Sequence, residues 1–169
     1  MKIVDIKLNN FRIYRGETHV NFGSENGKNI HLIAGKNGFG KTTLLTSLIW
    51  VFYGKQMSQV EDKYKIDIRH VGGYDKYLES LLNRDIKREF DNKEIEGADF
   101  FVELKLEDIL IPSIPCKEVV IRRSYDYFKK KEMEKKLDQM ANLCSTRQCR
   151  RQYLLNYFDE AAPSFCNSC

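Results

Sequence analysis

Hydrophobic and polar residues alternate in two short stretches near the start of the chain. Residues 4–8 and residues 18–22 each place an inward-facing side chain at every second position, which is the period of a half-buried β-strand. The inward positions are Val4, Ile6 and Leu8 in the first stretch and Thr18, Val20 and Phe22 in the second. The polar stretch 14–17 separates them, and the turn-forming residues 23–27 follow. The pattern predicts an antiparallel pair of strands.

A nearly unbroken apolar run at residues 29–34 is typical of a buried parallel strand. After a glycine-rich segment, the chain from Thr42 onward shows helical spacing. The apolar residues predicted to share one helical face are Leu44, Leu45, Leu48, Ile49 and Phe52. Gly54 then stands where a C-terminal helix cap is expected. The sequence therefore predicts strand, glycine loop and helix in succession.

The second half of the chain contains two further strands between helical segments. Residues 55–97 are polar, with a weak helical pattern near residues 77–82, and predict an inserted helical segment. Residues 100–106 alternate like a strand, and residues 119–121 predict another one after two prolines, so these two strands are expected to pair. Residues 128–140 are charged and helix-prone, and their apolar spacing also suits the start of a coiled coil, although fewer than two heptads do not establish one.

These elements predict an α/β fold with a mixed or antiparallel sheet. Residues 1–126 are expected to form an N-terminal lobe, and residues 127–169 a charged helix and a cysteine-containing tail, truncated or disordered. Near Asn142 the composition changes abruptly, as a truncated or frameshifted reading frame would produce.

Composition limits the function classes without choosing one. The chain has 169 residues, 42% hydrophobic and 31% charged, which suits one hydrophobic core. A net charge of +4 is too mild to identify a nucleic-acid partner. No apolar run approaches the roughly 20 residues of a membrane span, and the first residues do not resemble a signal peptide, so a cytoplasmic protein is expected.

The segment 35–42 matches the phosphate-binding pattern G-x-x-x-x-G-K-[ST] through Gly35, Gly40, Lys41 and Thr42. Glycines let successive backbone N–H groups approach phosphate oxygens without a Cβ in the way. The ammonium of Lys41 suits the β and γ phosphates, and the hydroxyl of Thr42 suits Mg²⁺. The pattern therefore predicts that ATP and Mg²⁺ bind in this P-loop.

Residues 2–16 and 33–45 resemble the opening of the ABC-type ATPase heads of the SMC, RecF and double-strand-break-repair group. Within that group, residues 48–55 are most similar to DndD, the ATPase associated with DNA phosphorothioate modification. The resemblance implies a DNA-processing ATPase that works as a homodimer or heterodimer of heads, or with a complementary C-terminal lobe, and that can contact double-stranded DNA.

The resemblance also implies a set of nucleotide-binding residues. They are Arg12, Gly35, Lys36, Asn37, Gly38, Phe39, Gly40, Lys41, Thr42 and Thr43, with Thr42 as the Mg²⁺ ligand. For Arg12, an exposed cation at the end of a strand is the alternative interpretation.

Complete heads of this kind carry a signature Ser-Gly-Gly segment, a hydrophobic strand ending in Asp-Glu, and a switch histidine. None of these follows residue 126, and Asp159 and Glu160 lack the preceding apolar strand. Gln56, Gln59 and Gln139 are candidates for the glutamine that senses Mg²⁺ by residue type alone. We therefore expect nucleotide binding with little ATP turnover by this chain in isolation.

Four cysteines near the end of the sequence have a spacing that suits one tetrahedral Zn²⁺ ion: Cys144, Cys149, Cys166 and Cys169. No glycine follows either pair to form a zinc knuckle, and three arginines crowd the first pair, so thiols in a poorly ordered tail are the alternative.

Two rival functions remain open at this point. The chain could be a truncated, non-catalytic remnant or an interaction module that pairs with a complete head. It could also be a P-loop kinase or a small transporter ATPase. The sequence has no lid-like arginine cluster of the kind that a kinase uses near its acceptor pocket, and transporter ATPases lack the opening Asn10-Phe11-Arg12.

Overall fold

A four-stranded sheet with helices on one face makes up most of the fold. The computed structural model describes residues 1–23, 30–109, 117–146 and 149–158. The strands are β1 (Lys2–Asn9), β2 (Glu17–Asn21), β3 (Asp99–Glu107) and β4 (Glu118–Asp126). The helices are α1 (Lys41–Tyr53), α2 (Met57–Val60), α3 (Asp62–His70), α4 (Tyr74–Leu81), α5 (Arg84–Asp91), α6 (Tyr127–Ser145) and α7 (Arg150–Tyr157), with a 3₁₀ turn at Gly54–Gln56. None of the helices in these ranges is long and apolar enough to cross a bilayer.

The sheet has the order β2-β1-β3-β4, and its neighbouring strands are antiparallel. Both predicted pairings are confirmed, because β1 pairs with β2 and β3 pairs with β4. The sequence did not predict that β1 and β3 lie side by side, with Leu8 opposite Val102 and Ile6 opposite Leu104. The two hairpins thus join into one sheet whose apolar face receives α1.

An aromatic cluster forms the centre of the core between the sheet and α1. Phe11, Trp50 and Phe100 contact one another, with ring centroids 5.0–5.9 Å apart. The indole N–H of Trp50 donates a hydrogen bond of 3.1 Å to the hydroxyl of Tyr74, so this buried donor is satisfied. The cluster ties α1 and α4 to the sheet.

The buried face of α1 differs from the predicted one. Leu44 is buried as expected, but Leu45 is 51% exposed, whereas Thr46, Ser47 and Trp50 are buried. Thr46 donates its hydroxyl to the Thr42 carbonyl at 2.8 Å, and Ser47 donates to the Leu44 carbonyl at 2.7 Å. Because these hydroxyls are satisfied within the helix, burying them costs little. The prediction considered apolar residues alone, and it therefore placed the buried face of α1 at a different angle around the helix axis than the structure does.

The predicted buried strand at residues 29–34 is wrong for the part that the structure describes. Residues 30–34 form no strand, and Ile30 and Leu32 are 92% and 91% exposed. Apolar composition favours burial, but a strand also requires hydrogen bonds to a neighbouring chain segment. No strand in the described residues pairs with this run, so the sheet is antiparallel and not mixed.

The chain divides into two compact units, Met1–Tyr127 and Phe128–Cys169. In the second unit, the hydroxyl of Tyr153 on α7 donates to the Gln139 carbonyl on α6 at 3.3 Å. The side chains of Met133, Leu137 and Met140 are exposed along α6. The helix predicted here is present, and the coiled coil stays a prediction.

The C-terminal end of α1 depends on Gly54. This residue has φ +53°, and a Cβ there would lie 2.5 Å from the Arg123 guanidinium. The same guanidinium donates through Nε to the Val51 carbonyl at 3.3 Å, which places a cation at the negative end of the helix dipole.

Replacing Gly54 by alanine is expected to lower the free energy of unfolding by about 1–3 kcal/mol, because the backbone is strained and Arg123 must move. Urea denaturation measures this value. Gly97→Ala is the control, since open space surrounds Gly97 and its φ is not in the left-handed region. Equal stability of the Gly54 variant and wild type would contradict the role of this cap.

Candidate nucleotide-binding site

The glycine-rich segment 35–40 forms a tight turn that leads directly into α1. Gly38 and Gly40 have φ +86° and +92°, in the region that glycine adopts without strain. The Phe39 amide donates to the Lys36 carbonyl at 3.3 Å, which closes the turn. The loop and helix of the predicted P-loop are therefore formed, and the preceding strand is not.

The N-terminal end of α1 is suited to an anion. Gly40 is the cap residue and has no side chain to bond the first amides, and the first turn of the helix carries no acidic residue. The first N–H groups of any helix lack intrahelical acceptors, and the helix dipole adds positive potential there. A phosphate group suits this position on both counts.

Gly40 also joins the loop to the segment after β1. A Cβ on Gly40 would lie 2.7 Å from both the Ile13 Cδ1 and the Tyr14 hydroxyl oxygen, so only glycine fits. The Tyr14 hydroxyl donates to the Gly40 carbonyl at 3.3 Å, and the Leu44 amide donates to the same carbonyl at 2.8 Å. Burial raises the pKa of Tyr14, which keeps the hydroxyl protonated as a donor. The start of α1 is thus supported from outside the loop.

The ammonium of Lys41 lies against the loop itself. Its Nζ donates to the Gly35 carbonyl at 2.5 Å and to the Lys36 carbonyl at 2.9 Å, and the residue is exposed. Thr42 is exposed next to it in the first turn. The cation, the hydroxyl and the first helix amides therefore share one accessible end of α1, as the sequence pattern predicts.

Arg12 is placed by the loop that follows β1. Its guanidinium is half-buried, and Nη2 donates to the Tyr77 hydroxyl at 3.3 Å. Its carbon Cζ lies 5.8 Å from the centroid of the Tyr77 ring. The alternative of a freely exposed cation is therefore wrong, while its contact with nucleotide stays a prediction.

A cavity of about 630 Å³ opens between Arg12 and the P-loop helix. Its lining includes Arg12 and Thr43 together with Asn83 and Arg84 from the α4–α5 junction. The arginine that the resemblance singled out and the second threonine of the P-loop thus border one cleft.

Comparison with protein families settles the class of this domain. The family model for the AAA domain (AAA_23) matches residues 5–160. The chain belongs to this AAA family. The match continues well past residue 55, where the segments that carry the sequence resemblance end.

Two curated relatives are similar to parts of this AAA-family chain. The DNA replication and repair protein RecF of Clostridioides difficile is 34% identical over 97 residues, which cover 52% of this chain and 25% of RecF. The DNA double-strand break repair Rad50 ATPase of Pyrococcus abyssi is 37% identical over 73 residues, which cover 43% of this chain and 8% of Rad50. The matches span a quarter or less of either relative. They support the resemblance to the RecF and break-repair group, and the narrower likeness to DndD stays a prediction.

The Mg²⁺ donors expected in an AAA-family site are only partly present. The exposed Thr42 hydroxyl fits one position of the metal shell. Within the described ranges, no group of three or more His, Cys, Asp or Glu side chains could hold a metal ion.

Two of the candidate glutamines lie away from the start of α1, and the other predicted residues belong to the second unit or lie outside the described ranges. Gln56 and Gln59 are exposed near the C-terminal end of α1, and Gln139 belongs to the second unit. Cys144 lies on α6 and Cys149 precedes α7, while Cys166, Cys169, Asp159 and Glu160 lie outside the described residues. Zinc binding by the four cysteines stays a prediction.

Sequence reasoning missed the residues that support the loop. Tyr14, Tyr77 and Asn83 make the contacts to Gly40 and Arg12, yet none belongs to a phosphate-binding pattern. The sequence holds one signal for the position of Tyr14, because this residue lies two positions after Arg12.

Proposed function

We propose that this chain is a Mg·ATP-binding lobe of a DNA-processing ATPase. The observation that supports it best is the shared position of Lys41, Thr42 and the uncapped amides at the start of α1. On binding, the triphosphate takes the Lys41 ammonium away from the Gly35 and Lys36 carbonyls, and the amides near Gly38 and Gly40 bond its oxygens. The Thr42 hydroxyl would hold Mg²⁺, and the ion would supply positive charge that neutralises the phosphates.

The DNA-related part of the proposal is supported by the two relatives. RecF is by name a DNA replication and repair protein, and Rad50 is by name a DNA double-strand break repair ATPase. We infer that this chain, in the cytoplasm, serves a related process on double-stranded DNA, in repair, modification or restriction, with DndD-like modification as the narrower form. The AAA family match is consistent with a nucleotide as the common ligand.

We further propose that this lobe does not hydrolyse ATP efficiently alone. Hydrolysis requires a carboxylate that orients the attacking water and donors that close over the γ-phosphate. In complete heads these groups come from the Asp-Glu strand and the signature segment, and neither pattern occurs in residues 127–169. A second head or a complementary lobe would supply them. The exposed apolar run at residues 30–34, directly before the loop, is consistent with such a partner.

Titration of ATP with and without Mg²⁺ tests this proposal. The wild-type chain is expected to bind ATP more tightly with Mg²⁺ than without it. In Thr42→Val, the affinity for ATP with Mg²⁺ is expected to fall about tenfold, equivalent to about 1.4 kcal/mol, because the metal loses a ligand. Its affinity without Mg²⁺ should stay within about twofold of wild type. Ser58→Ala serves as the control, since this hydroxyl lies on α2.

The same titration separates the rivals. A non-catalytic remnant or interaction module predicts no ATP binding by the wild type under either condition, and that result would overturn the proposal. Titration of double-stranded DNA, with and without saturating ATP, then tests the DNA-related part by itself.

A further inference from the structure

The helical segment between α1 and β3 meets the loop after β1 at Asn83. This side chain is only 5% exposed and has partners on two sides. Its Oδ1 accepts from the amides of Asp85 and Ile86, at 3.1 and 3.3 Å, and so caps α5. Its Nδ2 donates to the Arg12 carbonyl at 2.7 Å. One buried amide group therefore connects the start of α5 to the backbone of Arg12.

The backbone around Arg12 needs such support. Asn10 and Arg12 have φ +49° and +50°, which is uncommon for residues with a side chain. Two further hydrogen bonds hold this conformation: the Arg12 amide donates to the Leu81 carbonyl at 2.7 Å, and the Asn83 amide donates to the Asn10 carbonyl at 2.8 Å. A strained backbone persists only where its surroundings fix it, and such strain concentrates at functional sites.

The direction of the Arg12 side chain follows from that backbone. Its guanidinium contacts the Tyr77 hydroxyl and ring. Burial raises the pKa of Tyr77 to about 12, so its hydroxyl is neutral near pH 7 and does not cancel the arginine charge. No ion pair joins Arg12 to a carboxylate in the described part of the chain. Arg12 and Thr43 both line the cleft, so we expect the arginine charge to be available to an anion bound there.

We propose that Asn83 is a positioning residue that holds the Arg12 loop so that the guanidinium can reach the phosphates of a bound nucleotide. This inference rests on the proposed function. It connects the α4–α5 junction to the nucleotide site, because any movement of Leu81 or Asn83 moves the Arg12 backbone with it. Asn83 acts through Arg12, because its side-chain amide is already bonded to the first amides of α5 and to the Arg12 carbonyl.

A double-mutant cycle on ATP affinity tests the inference. Asn83→Asp keeps an oxygen acceptor for the α5 cap but loses the N–H donor to the Arg12 carbonyl. Asn83→Ser keeps a hydroxyl cap, adds no charge and is too short to reach Arg12. Each change is expected to weaken ATP binding about five- to tenfold in the wild type and by less than twofold in Arg12→Ala. Asn92→Asp, an exposed position at the end of α5, controls for the added charge.

Amide hydrogen exchange supplies a readout that does not depend on nucleotide. In Asn83→Ser, the Arg12 amide is expected to exchange at least about tenfold faster, while the Val102 amide in β3 keeps its wild-type rate. Uniformly faster exchange at both amides would show a general loss of stability and overturn the positioning role.

The outcomes of the cycle are distinct. Equal weakening by the Asn83 variants with and without Arg12 overturns this inference and leaves ATP binding at Lys41 intact. If Arg12→Ala binds ATP as tightly as the wild type, the positioning inference is overturned and the proposed function is not. A wild type that binds no ATP overturns the proposed function as well.

Discussion

Replacing Lys41 by alanine is expected to weaken ATP binding at least about 100-fold. A hydrogen bond to a charged group is worth about 1.5–3 kcal/mol, and the ammonium can make two of them to the β and γ phosphates. In the free chain, Nζ already bonds the Gly35 and Lys36 carbonyls, so part of this energy is spent on leaving them. A net loss of about 3 kcal/mol corresponds to the stated factor.

Isothermal titration calorimetry on the purified chain measures the effect of Lys41→Ala. Lys55→Ala is the matched control, because Lys55 is an exposed lysine just beyond the other end of α1. The control should bind ATP within about twofold of wild type. If both lysine variants lose affinity equally, ATP is attracted by the overall positive charge of the chain and is not bound by the loop.

Trp50→Ala is expected to lower the free energy of unfolding by about 3–5 kcal/mol, which is the range for deleting a large buried aromatic side chain. Trp50 is 1% exposed and contacts Phe11 and Phe100, which belong to two other parts of the core. The change also leaves the Tyr74 hydroxyl without its indole donor. A domain has only about 5–15 kcal/mol of stability, so this variant is expected to be partly unfolded at 37 °C.

Urea denaturation followed by circular dichroism measures this loss. Tyr53→Ala, on the same helix but 47% exposed, should cost less than about 1 kcal/mol. Similar losses for the two variants would mean that α1 does not pack on the sheet through Trp50.

The sequence predicts the local features of this fold well. Both hairpin pairings follow from the period of two along β1, β2 and β3 and from the apolar run at residues 119–121 in β4. The neighbouring position of β1 and β3 depends on packing between residues that are 92 to 105 positions apart, and no local pattern encodes it. The run at residues 30–34 shows the opposite limit, since its composition favours a strand while no strand among the described residues pairs with it.

The candidate site also contains residues that the sequence predicts and residues that it does not. Gly40, Lys41 and Thr42 are adjacent in the sequence, so their spacing alone predicts their shared position at the start of α1. Tyr77 and Asn83 reach Arg12 from more than sixty residues away, through the α4–α5 junction. Their roles depend on burial and hydrogen-bond geometry, which residue patterns do not contain.

We propose that the amides at the start of α1 hold a triphosphate. Backbone ¹H–¹⁵N NMR spectra of the labelled chain, recorded during titration with Mg·ATP, follow these amides one by one. We expect the signals of Gly38, Gly40, Lys41 and Thr42 to shift most, and these shifts to disappear in Lys41→Ala at the same ATP concentration. Unchanged signals at these four amides, with ATP bound and other residues shifting, would contradict it.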